Sequence, residues 1–194
     1  MTGFKLAILL IILVSSSIKA EESPWRESAI LVSVASLLAW NPMKLDGVGF
    51  ERGIDNDFSE TFKRTRMLWL WKMEEPIKQI GSVTMNGHYE FEFGQILPSP
   101  QNVTLGITPI IEWQLKDVPG SPMIETGLSA NWLSLAQHGK RDIGTHFQFG
   151  QLLGLAFKLG HWQLGVRYQH ISNFDIKQPN NGYNFFNLVV KYWY

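Results

Sequence analysis

From about residue 46 to the final Tyr194 the chain alternates apolar and non-apolar side chains with a period of two. Successive side chains of an extended strand point to opposite faces, so this period predicts strands with one apolar and one polar side. In His88-Tyr89-Glu90-Phe91-Glu92-Phe93 the aromatic residues share one face, and His88, Glu90 and Glu92 share the other. Over 146–159, Phe147, Phe149, Leu153, Leu155 and Phe157 lie opposite Gln148, Gly150, Gly154, Ala156 and Lys158. The same reading gives strands at about 46–55, 62–73, 82–94, 103–115, 122–132, 146–159, 161–172 and 184–194, with Gly, Pro, Asn or Asp in the turns. Eight is an even number, as expected for an antiparallel sheet that closes on itself with both ends at one rim.

Two barrels share this pattern with opposite insides. A lipocalin-like soluble barrel buries the apolar face, whereas an outer-membrane barrel turns it to lipid and keeps polar groups within. Three features favour the second. The polar faces carry glycines and a few charges, suited to a lumen filled by side chains. Trp and Tyr recur near strand ends (Trp69, Trp71, Tyr89, Trp113, Trp132, Trp162, Tyr168, Trp193), as aromatic girdles require. The chain also stops at Tyr192-Trp193-Tyr194, an aromatic terminus closing a strand. In lipid every backbone N–H and C=O needs a partner, and a closed barrel supplies one without edges. The expected fold is therefore all-β, an eight-stranded antiparallel transmembrane β-barrel over 46–194 in the bacterial outer membrane. With both barrel ends in the periplasm, the connections near 56–61, 95–102, 133–145 and 173–183 face outward, and those near 74–81, 116–121 and 160 face the periplasm.

The N-terminus reads as an export signal over 1–20. Lys5 supplies a positive start, 6–14 is a nearly unbroken apolar run, and Ser15-Ser16-Ser17-Ile18-Lys19-Ala20 ends in a small residue before Glu21-Glu22. The apolar run is about half the roughly 20 residues of a spanning helix. A short extension over 21–45 follows. It is too apolar for a plain linker and fits a helix beginning near Ser23-Pro24 and ending before Asn41-Pro42, either a plug or a periplasmic interfacial helix. Cysteine is absent, so stability has to come from packing, a closed sheet or a membrane. A net charge of +0 gives no electrostatic case for nucleic acid as a partner. His88, His138, His146 and His161 are too scattered to suggest a metal site, and no Gly-rich phosphate loop is present.

Following parity along the seventh strand isolates a polar cluster. Trp162, Leu164, Val166 and Tyr168 take the lipid side, and Gln163, Gly165, Arg167 and Gln169 the lumen, so His170 and Ser172 continue the lipid-facing row. In the eighth strand Phe186, Leu188, Val190, Tyr192 and Tyr194 face out, and Asn184 shares their parity. Polar groups facing hydrocarbon are costly unless partnered or used. A His two residues from a Ser on one face suits a serine nucleophile, which needs a neighbouring base. By spacing alone the pair equally fits two interfacial polar residues at headgroup level.

The wider stretch His170-Ile171-Ser172-Asn173-Phe174-Asp175-Ile176-Lys177-Gln178-Pro179-Asn180-Asn181-Gly182 closely resembles the signature of the PagL-type lipid A 3-O-deacylases: His-x-Ser-Asn, then Lys-Gln-Pro-Asn-x-Gly, then the last strand. Weaker resemblance runs over most of 62–194, including Met123-Ile124-Glu125-Thr126-Gly127 and Arg66-Met67-Leu68-Trp69-Leu70-Trp71, whereas 21–45 looks unlike the family core. The resemblance implies an active site on the outer wall that hydrolyses an ester-linked acyl chain of lipopolysaccharide in the outer leaflet. It makes Ser172 the nucleophile and His170 its general base, with Asn173, Asn180 and backbone N–H groups of 173–182 as oxyanion donors, and it implies no metal or organic cofactor. Lipid A and outer-membrane lipid are the implied partners, and a homodimer is left open. One position departs from the family: the third triad member is a Glu two residues after the loop glycine, and here it is Asn184. Asn accepts a histidine N–H but lacks the full negative charge that stabilises imidazolium.

Other residues carry weaker signals. Lys177, Lys140 and Arg141 are either cations for a lipid A phosphate or ordinary loop charges. Glu90, Glu92, Glu112 and Glu125 share inward parity with Arg66, Lys158 and Arg167 and read as lumen ion pairs. A structural or adhesive barrel of the small OmpA type and an outer-membrane acyltransferase are the competing functions.

Overall fold

In the computed structural model of the chain, the described residues are 41, 43–55, 60–74, 76–98 and 102–194. The expected export signal over 1–20 and the expected helix, which ends before Asn41, both lie outside them. Of the N-terminal unit Met1–Leu45, what is described is a turn in which Asn41 Nδ2 donates to the Leu45 carbonyl and Leu45 N–H donates to Asn41 Oδ1, both at 2.7 Å.

The second unit, Asp46–Tyr194, is a closed barrel of eight antiparallel strands. They are β1 (Gly47–Asp55), β2 (Phe62–Lys72), β3 (Val83–Leu97), β4 (Val103–Leu115), β5 (Met123–Leu133), β6 (Phe147–Leu159), β7 (Trp162–Ser172) and β8 (Tyr183–Trp193). Each strand pairs with the next, and β1 closes on β8 from Gly47↔Trp193 to Ile54↔Phe186. The expected boundaries hold to within a residue at seven strands. The third runs on from the expected 94 to Leu97, because Gln95 and Ile96 still pair with Thr65 and Arg64 of β2. Gly94, which looks like a strand end in the sequence, is instead a close approach, since a Cβ there would collide with the Thr65 carbonyl. Two small elements carry no periodic signal: Lys78–Ile80, paired with the start of β3, and a hairpin of Gln137–His138 with Arg141–Asp142 between β5 and β6.

The faces sort as an outer-membrane barrel requires and a soluble one forbids. Phe50, Phe91, Ile107, Leu155, Phe157, Leu164, Val166 and Leu188 are exposed on the outside, while Glu51, Arg64, Arg66, Glu90, Glu92, Glu125, Arg167 and Lys191 are buried within. Charge burial on this scale is tolerable only with pairing. Arg167 supplies it at the centre, donating from Nε to Glu125 at 2.7 Å and through both terminal nitrogens to Glu90 at 2.7 and 2.8 Å. Lys191 Nζ lies 2.7 Å from both Glu90 and Glu125, and Arg66 bridges Glu51 and Glu92. Apolar clusters close the lumen on both sides: Phe62, Ile96, Leu133, Ile143, Ile171, Tyr183 and Phe185 towards the long loops, and Leu68, Leu70, Val189 and Trp193 towards the end where β1 starts and β8 finishes.

Two placements differ from expectation. Trp193 belongs to no girdle: it points inward and donates its Nε1–H to Gln163 Oε1 at 2.8 Å, the parity opposite to Tyr192 and Tyr194. Among the described residues Lys158 joins no lumen ion pair; it lines an open polar cavity of about 360 Å³ at the end where β1 starts and β8 finishes, with Lys72, Glu112 and Gln114. The exposed aromatics Tyr89, Trp113, Trp162 and Tyr194 lie towards that same end, and Trp132, Phe147, Phe149 and Phe174 towards the other.

Candidate active site

At the long-loop end of β7 and β8 the register brings His170 opposite Asn184 and Tyr168 opposite Phe186. Ser172 follows His170 two residues on, and all of these side chains point outward, with His170, Ser172 and Asn184 half-buried. Asn184 Oδ1 lies 2.8 Å from His170 Nδ1 and accepts the Tyr168 hydroxyl proton, also at 2.8 Å. With that oxygen as the acceptor, Nδ1 is the protonated ring nitrogen and Nε2 carries the lone pair. Tyr168, whose role the sequence did not suggest, thereby fixes which end of the amide faces the imidazole. The backbone of Asn184 is held as well: its N–H donates to Asp55 Oδ2 at 2.8 Å, and Arg141 clamps Asp55 at 2.6 Å and the Gly182 carbonyl at 3.1 Å. Arg141 is therefore a buried brace, neither a surface charge for a phosphate nor an ordinary loop cation, which corrects both readings of its sequence position.

The 173–182 loop is built by its polar residues. Asn173 is buried and donates both amide hydrogens, to the Ile143 carbonyl at 2.9 Å and the Lys177 carbonyl at 2.6 Å. Its own N–H donates to Asn180 Oδ1 at 3.0 Å, and Asn180 Nδ2 reaches Asp175 Oδ1 at 3.0 Å, leaving one Asn180 amide hydrogen over. Gln178 also donates to Asp175, so that carboxylate serves the loop. Phe174 and Asp175 adopt φ of 57° and 59°, a left-handed pair that is strained for a bulky Phe and held by these bonds. Gly144, at φ 74°, packs so closely that a Cβ would stand 2.7 Å from Asn173 Nδ2. Gly182, at φ 57°, packs closely beneath the pair: a Cβ there would stand 2.7 Å from the Ile171 carbonyl oxygen, 3.4 Å from His170 Cε1 and 3.5 Å from Ser172 Cβ. Among the described residues no hydrogen bond joins His170 to Ser172. The hairpin beside the loop packs His138 on Phe62 with ring centroids 4.8 Å apart, and burial holds that imidazole below its usual pKa.

Of the residues expected at the site, Ser172, His170 and Asn184 thus share one patch of outer wall, and Asn173 and Asn180 shape the adjoining loop. Lys177 and Lys140 are exposed loop cations. One further outward residue escaped notice: Gln151 of β6 lies opposite His170. The signal was present, since Gln151 interrupts the apolar row Phe147, Phe149, Leu153, Leu155. Inside the barrel His88, Glu112 and Glu125 converge closely enough to suggest a metal site, but Lys191 Nζ already stands 3.1 Å from His88 and 2.7 Å from Glu125, supplying the positive charge. The outer patch has what acyl transfer to a serine requires: a hydroxyl, a base with its lone pair on the outer nitrogen, and an orienting acceptor behind it.

Residues 63–193 match the family described as Lipid A 3-O-deacylase (PagL). A lipid A deacylase PagL of Bordetella bronchiseptica is 40% identical over 70 residues, covering 36% of this chain and 39% of that protein. A protein of the same name from Pseudomonas aeruginosa is 29% identical over 89 residues, covering 45% of this chain and 51% of the relative. The matches thus span between about two fifths and one half of these curated relatives. A solved structure described as the outer membrane enzyme PagL superposes with a TM-score of 0.69 at 21% identity, covering 75% of this chain and 98% of that one, a likeness of fold.

Proposed function

The chain belongs to the lipid A 3-O-deacylase (PagL) family, and from that membership and the geometry above we propose that it hydrolyses an ester-linked (3-O) acyl chain of lipid A by a serine–histidine mechanism. The barrel spans the bacterial outer membrane with its long loops outside, which puts the site beside the outer leaflet. The observation that carries this reading is that Ser172, His170 and Asn184 share one outward patch of wall, with Asn184 bonded to His170 Nδ1 in the tautomer a general base needs. On this reading the acyl chain stays in the bilayer while its ester meets Ser172 near the rim of the barrel, where water can also reach.

His170 Nε2 takes the Ser172 proton as Oγ attacks the ester carbonyl. The tetrahedral oxyanion is held by amide donors of the 173–182 loop, including the remaining Asn180 hydrogen and free backbone N–H groups; Asn173, whose amide hydrogens are both taken, acts through the shape it gives the loop. His170 then passes the proton to the departing sugar oxygen, and water attacks the acyl-enzyme with the same nitrogen as base, releasing the fatty acid. Every step uses side chains of one chain, so no second copy is required. Mass analysis of lipid A from cells making this protein tests the reading: a loss of one acyl chain supports it, and a gain of one points to acyl transfer.

Asn184 sets the rate. Its oxygen gives His170 the correct tautomer, so the loss of about 10⁴ seen when an amide imposes the wrong one does not apply. It still offers imidazolium no full negative charge. Asn184→Glu is expected to speed acyl release by on the order of tenfold or more, since Tyr168 and His170 already present two donors to that position. Fatty acid release timed with purified protein checks this, and an unchanged or lower rate shows that the amide does not limit turnover.

A further inference from the structure

Asn184, His170 and Gln151 form one polar row across β8, β7 and β6, each directly opposite the next in the register. The row ends at Leu128 of β5, exposed and apolar. Along its own strand Gln151 is flanked on the same face by Phe149 and Leu153, both exposed. Its side chain has no hydrogen bond to any described residue, unlike Asn184, which is engaged on both sides. An unpaired carboxamide on a wall facing hydrocarbon is unfavourable unless a partner arrives from the lipid.

The depth of Gln151 says which part of a lipid that partner belongs to. Ser172 pairs with Phe149, one outward row nearer the long loops than His170 and Gln151. Two residues of strand rise about 6–7 Å along the strand, so Gln151 sits one outward row further from the long loops than the level of the attacking hydroxyl. An ester bound at Ser172 directs its sugar towards the loops and its acyl chain down the wall, past His170 and Gln151. We infer that Gln151 is a specificity-determining residue that hydrogen-bonds a polar group on the acyl chain, such as a hydroxyl within the first few carbons of the carbonyl. This rests on the deacylase reading above. A carboxamide suits the role because it donates and accepts at once, and a hydroxyl offers both complements.

The test uses the full chain in detergent micelles with two synthetic glucosamine lipids, one carrying a plain dodecanoyl ester and the other its 3-hydroxylated counterpart. The wild type is expected to favour the hydroxylated ester by about tenfold in kcat/KM, the worth of one well-made hydrogen bond. Gln151→Leu, which puts an apolar residue on a lipid-facing wall and leaves the barrel able to assemble, is expected to slow the hydroxylated ester alone and bring the ratio to about one. Gln151→Met serves as a second apolar replacement of similar reach. A wild type indifferent to the hydroxyl, or variants that keep the wild-type ratio or slow both esters alike, overturns the inference while Ser172-dependent release leaves the deacylase reading standing. A wild type as inert as Ser172→Ala on both esters sinks that reading, and this inference falls with it.

Discussion

Replacing Ser172 with alanine is expected to leave lipid A at its full mass in cells whose outer membranes carry the folded protein, a fall in deacylation of at least about 10³-fold. The substitution removes one oxygen from a half-buried side chain that makes no side-chain hydrogen bond to a described residue, so the barrel has little to lose. His170→Ala is expected to fall by a similar factor, because a hydroxyl without its base is a poor nucleophile at neutral pH. The double variant should be no worse than either single one, since the two groups act as a unit. Residual acyl release from Ser172→Ala, with heat-modifiable migration showing an assembled barrel, rules out this nucleophile. Clearly additive losses would show that His170 works apart from Ser172.

The second large effect concerns the inside of the barrel. Arg167→Ala is expected to destabilise the folded state by about 3–5 kcal/mol, because it leaves Glu90 and Glu125 buried with Lys191 as their remaining close cation. Deleting one partner of a buried pair is far costlier than never having made the pair, as the orphaned charge keeps its desolvation penalty. Arg167→Lys should recover part of the loss, restoring the charge without the forked contact to both carboxylates. The midpoint of guanidinium unfolding in detergent measures this, with Ser172→Ala as a control expected to unfold like the wild type. An unshifted midpoint for Arg167→Ala would mean that the lumen tolerates bare carboxylates.

How much of this was legible in the sequence depends on which interactions are local. The strands and their faces were readable because period two is a property of each segment alone. Parity likewise put His170, Ser172 and Asn184 on the wall, and the resemblance to the PagL-type signature gave them roles. Pairing across the sheet was not readable, because register emerges only when strands meet. For that reason Tyr168 looked like an ordinary wall residue, and Arg141 like a loop cation when it is a brace on Asp55. The inward turn of Trp193 was within reach, since its neighbours Tyr192 and Tyr194 had been assigned outward. The oxyanion expectation for Asn173 met a limit of another kind: an amide suited to the reaction is equally suited to holding a loop, and only its partners distinguish the two.

The outward placement of His170 and Ser172 also decides what concentration means for this protein. A site on the outside of a barrel is saturated by its neighbours in the plane of the membrane, so its rate follows the mole fraction of substrate in the surface, whatever the amount per litre. Detergent added to solubilise the protein occupies the same wall and acts as a diluent that competes for it. Turnover should therefore fall as inert amphiphile is added at constant bulk substrate and recover when the surface ratio is restored, a surface-dilution law that an enzyme taking a soluble substrate from bulk water has no reason to obey.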